Sequence, residues 1–243
     1  METWSIKQER EEKVKVAFIV PIEFLDKYCG RTGVEYCLPR LLVENETYRT
    51  FYKGREKAGD YIILDSRKPG WKRCPEEYPI ISQALELIYP KLIIYPSHMY
   101  NTLKTVSEAE IFISTFSVIG AACLEGASED EIKYCENIIR PIYTFAIPSH
   151  TYAVRTGVLN WDKPIVYIEN HLRIDELESV KASNGILATS LPFRLGSLGR
   201  IMRDYLPSPP SIDFFSKEDP FPKIVERNIK DTLEYYNEKG GLE

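Results

Sequence analysis

Long apolar runs are missing from this sequence. No stretch approaches the roughly 20 residues a helix needs to cross a bilayer, which excludes a helical membrane span and leaves no membrane partner. The amino terminus, METWSIKQEREEK, is charged where a secretory leader would be apolar, so the expected location is cytoplasmic. Histidine is scarce, at three in 243 residues, and no CxxC or HxxxH pair is present to hold zinc. The five cysteines, Cys29, Cys37, Cys74, Cys123 and Cys135, are odd in number and scattered, and read as free structural thiols. Neither GxGxxG nor GxxxxGK[ST] occurs, so nothing supports a nucleotide-binding, doubly wound sheet. The net charge of −5 excludes a protein that coats nucleic acid nonspecifically, because that needs a broad basic surface, but it leaves room for a local basic patch.

What is present is an alternation. With 44% apolar residues the chain is long enough for one large core, and a single domain over 1–243 is expected. Short apolar runs recur at Val16–Pro21, Tyr36–Val43, Tyr61–Leu64, Leu92–Tyr95, Val118–Leu124, Tyr143–Ile147, Ile165–Ile168 and Gly185–Ala188. Helical patterns lie between them, which predicts parallel strands covered on both faces and, from their number, an α/β (β/α)₈ barrel of the TIM type. An open doubly wound sheet is the alternative, and Pro39 makes the second strand the weakest of the eight. Helix starts are read at Pro75-Glu76-Glu77, running toward Ile88, and at the Ser128–Glu131 capping box; further helices are expected at Leu172–Lys181 and Phe221–Tyr236. The Pro-rich tract Leu206–Pro210 sets off a C-terminal segment, 207–243, whose last residues, Lys239–Glu243, are expected to fray. A PSHxY pattern occurs twice, at Pro96–Tyr100 and Pro148–Tyr152, each directly after a strand.

All three histidines, His98, His150 and His171, fall just past a predicted strand, and Asp65, Glu125 and Glu169 fall on the same ends. In a barrel those ends converge on the face that carries active sites, although loop polarity or helix capping would give the same pattern. Three histidines with Asp65 would suit water activation on a metal, but no two share a strand, so no metal and no cofactor is expected. Arg67, Lys68, Trp71, Lys72 and Arg73 put four cations and an indole in the loop after the third strand. Such a mixture suits phosphate contacts and stacking on a base; a solvated loop with Trp71 packed on the rim is the other reading. Arg194, Arg200 and Arg203 would extend the patch, or line an ordinary helix surface.

Several landmarks, in order over residues 60 to 203, resemble the tRNA-guanine transglycosylase superfamily, including its DNA-modifying branch. Tyr61–Ser66 is similar to a strand ending in Asp-Ser, and Leu92–Ser97 to the following strand. Gly120–Gly126 and the acidic helix from Ser128 to Cys135 resemble the family's Val-Gln-Gly strand and its helix. Phe145–Ser149 resembles an Ala-Ile-Pro turn, Ile165–Asn170 a Leu-Gly turn, and Ala188–Phe193 an Asp-Thr-Ser-x-Pro strand end.

The resemblance implies exchange of guanine for a 7-deazaguanine in RNA or DNA, through an aspartate that attacks the sugar carbon. It implies a base or acid/base role for Asp65, and a substrate-binding set of Ser66, Ser97, His98, Glu125, Gly126, Ser149, His150, Glu169 and Thr189. The sequence departs from the family at the nucleophile, whose place is taken by Ala188. Ser97 stands where the family has an aspartate, Glu125 where it has a glutamine, and Glu169-Asn170 at its glycine turn; the CxCxxC zinc motif is absent. Three readings stay open: a noncatalytic partner subunit, an enzyme with a relocated carboxylate, or a sequence whose nucleophile was deliberately replaced. A protein partner or a homodimer and a metal-dependent barrel hydrolase complete the alternatives.

Overall fold

The computed structural model describes residues 15–67, 75–116, 120–138, 144–148, 165–168, 185–197 and 222–237. It is a mixed α/β fold around a curled parallel sheet. The strands are β1 (Lys15–Phe18), β2 (Val34–Cys37), β3 (Tyr61–Asp65), β4 (Leu92–Ile94), β5 (Gly120–Cys123), β6 (Thr144–Pro148), β7 (Ile165–Ile168) and β8 (Ile186–Thr189). Their order is β1-β8-β7-β6-β5-β4-β3-β2, and every ladder is parallel. The outer strands β1 and β2 come within 8 Å of each other, with no ladder between them among the described residues.

Strand alternation divides the core in two. One cluster takes a side chain from each strand: Ala17, Tyr36, Ile63, Ile94, Cys123, Ala146, Ile168 and Ala188. The residues between them, such as Phe18, Ile62, Leu64, Ile93 and Leu187, face outward into a second cluster with the helices, which supply Leu42, Tyr52, Ile81, Phe112 and Ile132. Strands buried on both faces explain why the runs read as continuously apolar and not as alternating.

A short 3₁₀ turn (Ile22–Phe24) leads into α1 (Leu25–Tyr28); then come α2 (Pro39–Glu44), α3 (Glu46–Lys57), α4 (Tyr78–Leu87), α5 (Thr102–Thr115), α6 (Glu129–Ile138), α7 (Leu191–Ser197) and α8 (Pro222–Asn237). The second strand is corrected: it starts at Val34 and stops at Cys37, and the rest of the expected run is helix α2. Pro39 occupies the first turn of that helix, where the missing N–H has no intrahelical role. Two tyrosines of α3 fasten the strand end: the Tyr52 hydroxyl donates to Tyr36 O at 2.6 Å, and Leu38 N donates to the Tyr48 hydroxyl at 3.1 Å. Helix α4 begins at Tyr78, with Pro79 in its first turn. The capping box at α6 forms with a shift: Glu131 N donates to Ser128 Oγ at 3.3 Å, while the Glu131 carboxylate accepts from Ala127 N at 2.7 Å. Helix α8 crosses α7 at Gly196, where a Cβ would lie 2.3 Å from Val225 Cγ2, so only glycine permits this approach. The four described cysteines are free and buried. Leu172–Lys181, Leu206–Pro210, Lys239–Glu243 and Cys74 lie outside the described residues.

Candidate functional site

Because all ladders are parallel, the carboxyl ends of the strands gather on one edge of the sheet. Residues two apart on a strand share a face, so Asp65 and Arg67 continue the inward row begun by Ile63. They form a fork: Arg67 Nε reaches Asp65 Oδ1 at 2.7 Å and Nη2 reaches Oδ2 at 2.6 Å, with Arg67 N on Oδ1 at 3.2 Å. The Tyr36 hydroxyl, from the inner face of β2, also donates to Oδ2 and lies 3.4 Å from Arg67 Nη2. Asp65 is 3% exposed and Arg67 is 2% exposed. Burial alone would drive the guanidinium proton off; the Asp65 carboxylate outweighs it, and Arg67 is held protonated more firmly than an ordinary arginine. One nitrogen is left over: Arg67 Nη1 is buried and has no hydrogen-bond partner among the described residues.

The second group spans β4 and β5. Glu125, fully buried, accepts from Ser97 Oγ at 3.2 Å through Oε1 and from Tyr100 N at 3.3 Å through Oε2, while Thr102 Oγ1 donates to its carbonyl at 2.8 Å. Tyr100 is held at φ 56°, a left-handed conformation uncommon for a non-glycine residue, in the turn that aims its N–H at Glu125. Gly126 follows, where a Cβ would meet Ile132 Cγ1 at 2.9 Å; a side chain here would push the strand end off α6. Cys123, one inward position before Glu125, has its thiol pushed up to about 12 by burial, against the opposing charge of Arg67.

Other expected site residues are structural in their contacts. Ser66 Oγ donates to Ile94 O, joining β3 to β4. Thr189 Oγ1 accepts from Leu191 N at 3.1 Å and starts α7. Ala188 stands level with Ala17 and Ile168, fully buried in the inner cluster. His98 is partly exposed; its backbone N–H donates to Thr105 Oγ1 at 2.9 Å, and the ring Nε2 sits 3.6 Å from Glu108 Oε1 without a hydrogen bond. Glu108 accepts from the Tyr78 hydroxyl at 2.9 Å, and burial, then that carboxylate, push Tyr78 up to about 12.

The basic patch is corrected at two positions. Arg67 and Arg194 are buried, at 2% and 7% exposure, so neither side chain presents its charge to a phosphate backbone on the surface. Arg67 is drawn inward by Asp65, and Arg194 lies in α7, all of whose residues up to Gly196 are buried. Lys68, Trp71, Lys72, Arg73, Ser149, His150, Glu169, His171, Arg200 and Arg203 lie outside the described residues. Arg67 and Pro75 face each other in an antiparallel bridge, and Glu76 N donates to Ser66 O at 2.8 Å. Buried Glu76 is clasped there by Arg40, at 2.7 and 3.0 Å.

Sequence reasoning missed Tyr36 and Cys123. The two-residue spacing that joins Asp65 to Arg67 and Cys123 to Glu125 was the available signal. Among the described residues no three His, Cys, Asp or Glu side chains are placed to hold a metal ion, and no helix is long and apolar enough to cross a membrane. Chemically, the Asp65 carboxylate is engaged on both oxygens by four donors, which occupies the lone pairs a nucleophile or base would use. No family model matches the chain, and no curated protein matches it.

Proposed function

We propose that the chain is a single transglycosylase-like (β/α)₈ barrel, closed where β1 meets β2, that binds a guanine or 7-deazaguanine-type base of an RNA or DNA strand without exchanging it. The landmarks from Tyr61 to Phe193 support the family resemblance. The observation that carries the noncatalytic reading is the buried Asp65–Arg67–Tyr36 triad: the surviving acid is fully occupied, and an alanine fills the nucleophile position. Buried polar groups at the strand ends, Glu125 and Ser97 with Ser190, supply edge-reading chemistry. A base inside a duplex would have to be flipped out at a few kcal/mol, which favours loops and single strands.

The test is a labelled guanine-containing RNA and DNA panel, incubated with the protein and with Ala188→Asp, followed by denaturing gels and by equilibrium binding. Retention of guanine-containing strands with no adduct from the unaltered protein is expected. An adduct from the unaltered protein overturns the noncatalytic reading; binding to no strand overturns base recognition. One observation favours a partner-subunit version. Leu103 and Ile111 on α5 and Tyr134 on α6 are exposed, at 70%, 48% and 46%, and sedimentation with candidate enzymes tests it.

A further inference from the structure

Apolar surface left in water is concentrated in one sector of the fold. Seven of the eight large apolar side chains that the described residues leave exposed fall between Met99 and Ile138, on α5, on α6 and in the turn that leads into α5. The two helices pack side by side. Together the seven expose an area on the order of 700 Å², beyond the few hundred Å² a monomer usually leaves bare and close to the about 800 Å² each partner gives a standard interface.

The pattern along each helix defines the shape of what covers it. Both helices start at the carboxyl edge of the sheet, and Thr102, the first residue of α5, donates through Oγ1 to Glu125 O shortly before α6, which sets the two starts near one level. On α5, Leu103, Ser107 and Ile111 recur every fourth residue and share the exposed face; on α6, Asp130, Tyr134 and Ile138 do the same. Counted from the first residue of its helix, Ser107 stands at the depth of Tyr134, and Ile111 at the depth of Ile138, because each helix rises about 1.5 Å per residue. A two-fold axis parallel to the helices lays α5 of one copy on α6 of the other at matched depth, and does so twice. The small Ser107 leaves a hole between Leu103 and Ile111 that receives the Tyr134 ring of the second copy, while Ile111 meets Ile138. At the helix starts Lys104 comes level with Asp130 of the second copy. Both residues are exposed, and neither makes an ion pair among the described residues.

We propose that the outer face of α5 and α6 is a two-fold interface with a second copy of this chain, registered by Tyr134 in the Ser107 hole and by an ion pair between Lys104 and Asp130 across the axis. The complementary shapes and charges lie on two helices of the same chain, so a second copy satisfies them with no further surface on either side. This pairing does not depend on base binding, and it gives the exposed face an occupant other than a partner enzyme.

Sedimentation equilibrium of the full chain, from about 1 to about 200 μM, reads the association directly, and a reversible monomer–dimer equilibrium in that range is expected. Ser107→Trp fills the hole and should weaken the dimer at least about tenfold; the position is exposed in the single chain, so the fold should be kept. Lys104→Glu sets like charges against each other and should weaken the dimer severalfold, and adding Asp130→Lys should bring it back to within about twofold of the unaltered protein. A monomer at every concentration overturns the proposal. So does a dimer indifferent to Ser107→Trp, because its contact then lies elsewhere. Loss with Lys104→Glu and no recovery in the double variant overturns the register. Circular dichroism checks the helix content of each variant; should Ser107→Trp fail to fold, the charge pair, at two exposed positions, decides.

Discussion

Two buried carboxylates on neighbouring strands meet opposite fates. Glu35, on the outward face of β2, is 1% exposed; Asp65, at the inner end of β3, is 3% exposed. Each has an arginine nearby. Arg67 gives Asp65 its fork at 2.6 and 2.7 Å, whereas Arg55 gives its fork to Asp60 and stays 3.9 Å from Glu35. Glu35 keeps one good donor, Gly30 N at 2.7 Å, and burial pushes its carboxyl up to about 7. Proximity of a cation is therefore not enough: burial raises the carboxyl of Glu35 because the donors of its neighbouring arginine are aimed at Asp60.

The sharpest way to break this contrast is Asp65→Asn. It strands a buried guanidinium, and the expected loss is about 3–5 kcal/mol in urea unfolding. A loss below about 1 kcal/mol would mean that Arg67 finds water without Asp65. Next in size is the pH profile. Glu35 in the folded chain binds its proton up to about pH 7, against an ordinary value of 4.5, so the folded state holds more protons between those limits. Stability therefore falls as pH rises through that window, by roughly 2–3 kcal/mol, and Glu35→Gln should flatten the slope. Asp60→Asn tests the cause. It frees the Arg55 fork to turn to Glu35, and should move the midpoint of the profile down by about one pH unit, worth about 1 kcal/mol. The smallest effect is expected at the surface. Arg31 meets Glu226 at 2.8 Å with side chains 34% and 42% exposed, and Arg31→Ala should change stability by less than about 1 kcal/mol.

The strand pattern was legible because strands buried on both sides carry short apolar runs between polar, helix-forming segments. Seven of the runs coincide with observed strands to within a few residues; the eighth failed at Leu38–Val43, where apolar residues after a proline belong to a helix packed on the core. Asp65 and Glu125 were legible as strand-end acids. Arg67 was misread because a cation followed by a lysine, a proline and a glycine looks like loop, and composition does not say which member of a basic run turns inward. Period-two spacing does say so, but only once the alternation is known to continue beyond the strand end at Asp65. Tyr36 escaped notice for a related reason: an aromatic on a strand reads as core, and only its hydroxyl, meeting a carboxylate contributed 29 residues later, gives it a polar task.

The pairing of β1 with β8 carries a consequence for how the chain is made. Among the described residues Lys15–Phe18 has no ladder with β2; its parallel partner is Ile186–Thr189, about 170 residues downstream. During synthesis the first strand must therefore wait, its backbone amides unclaimed, until the last strand has left the ribosome. That ladder is a long-range contact, the kind that slows folding and leaves an edge exposed until it forms. A nascent chain halted before residue 186 is the species in which chaperone dependence should concentrate.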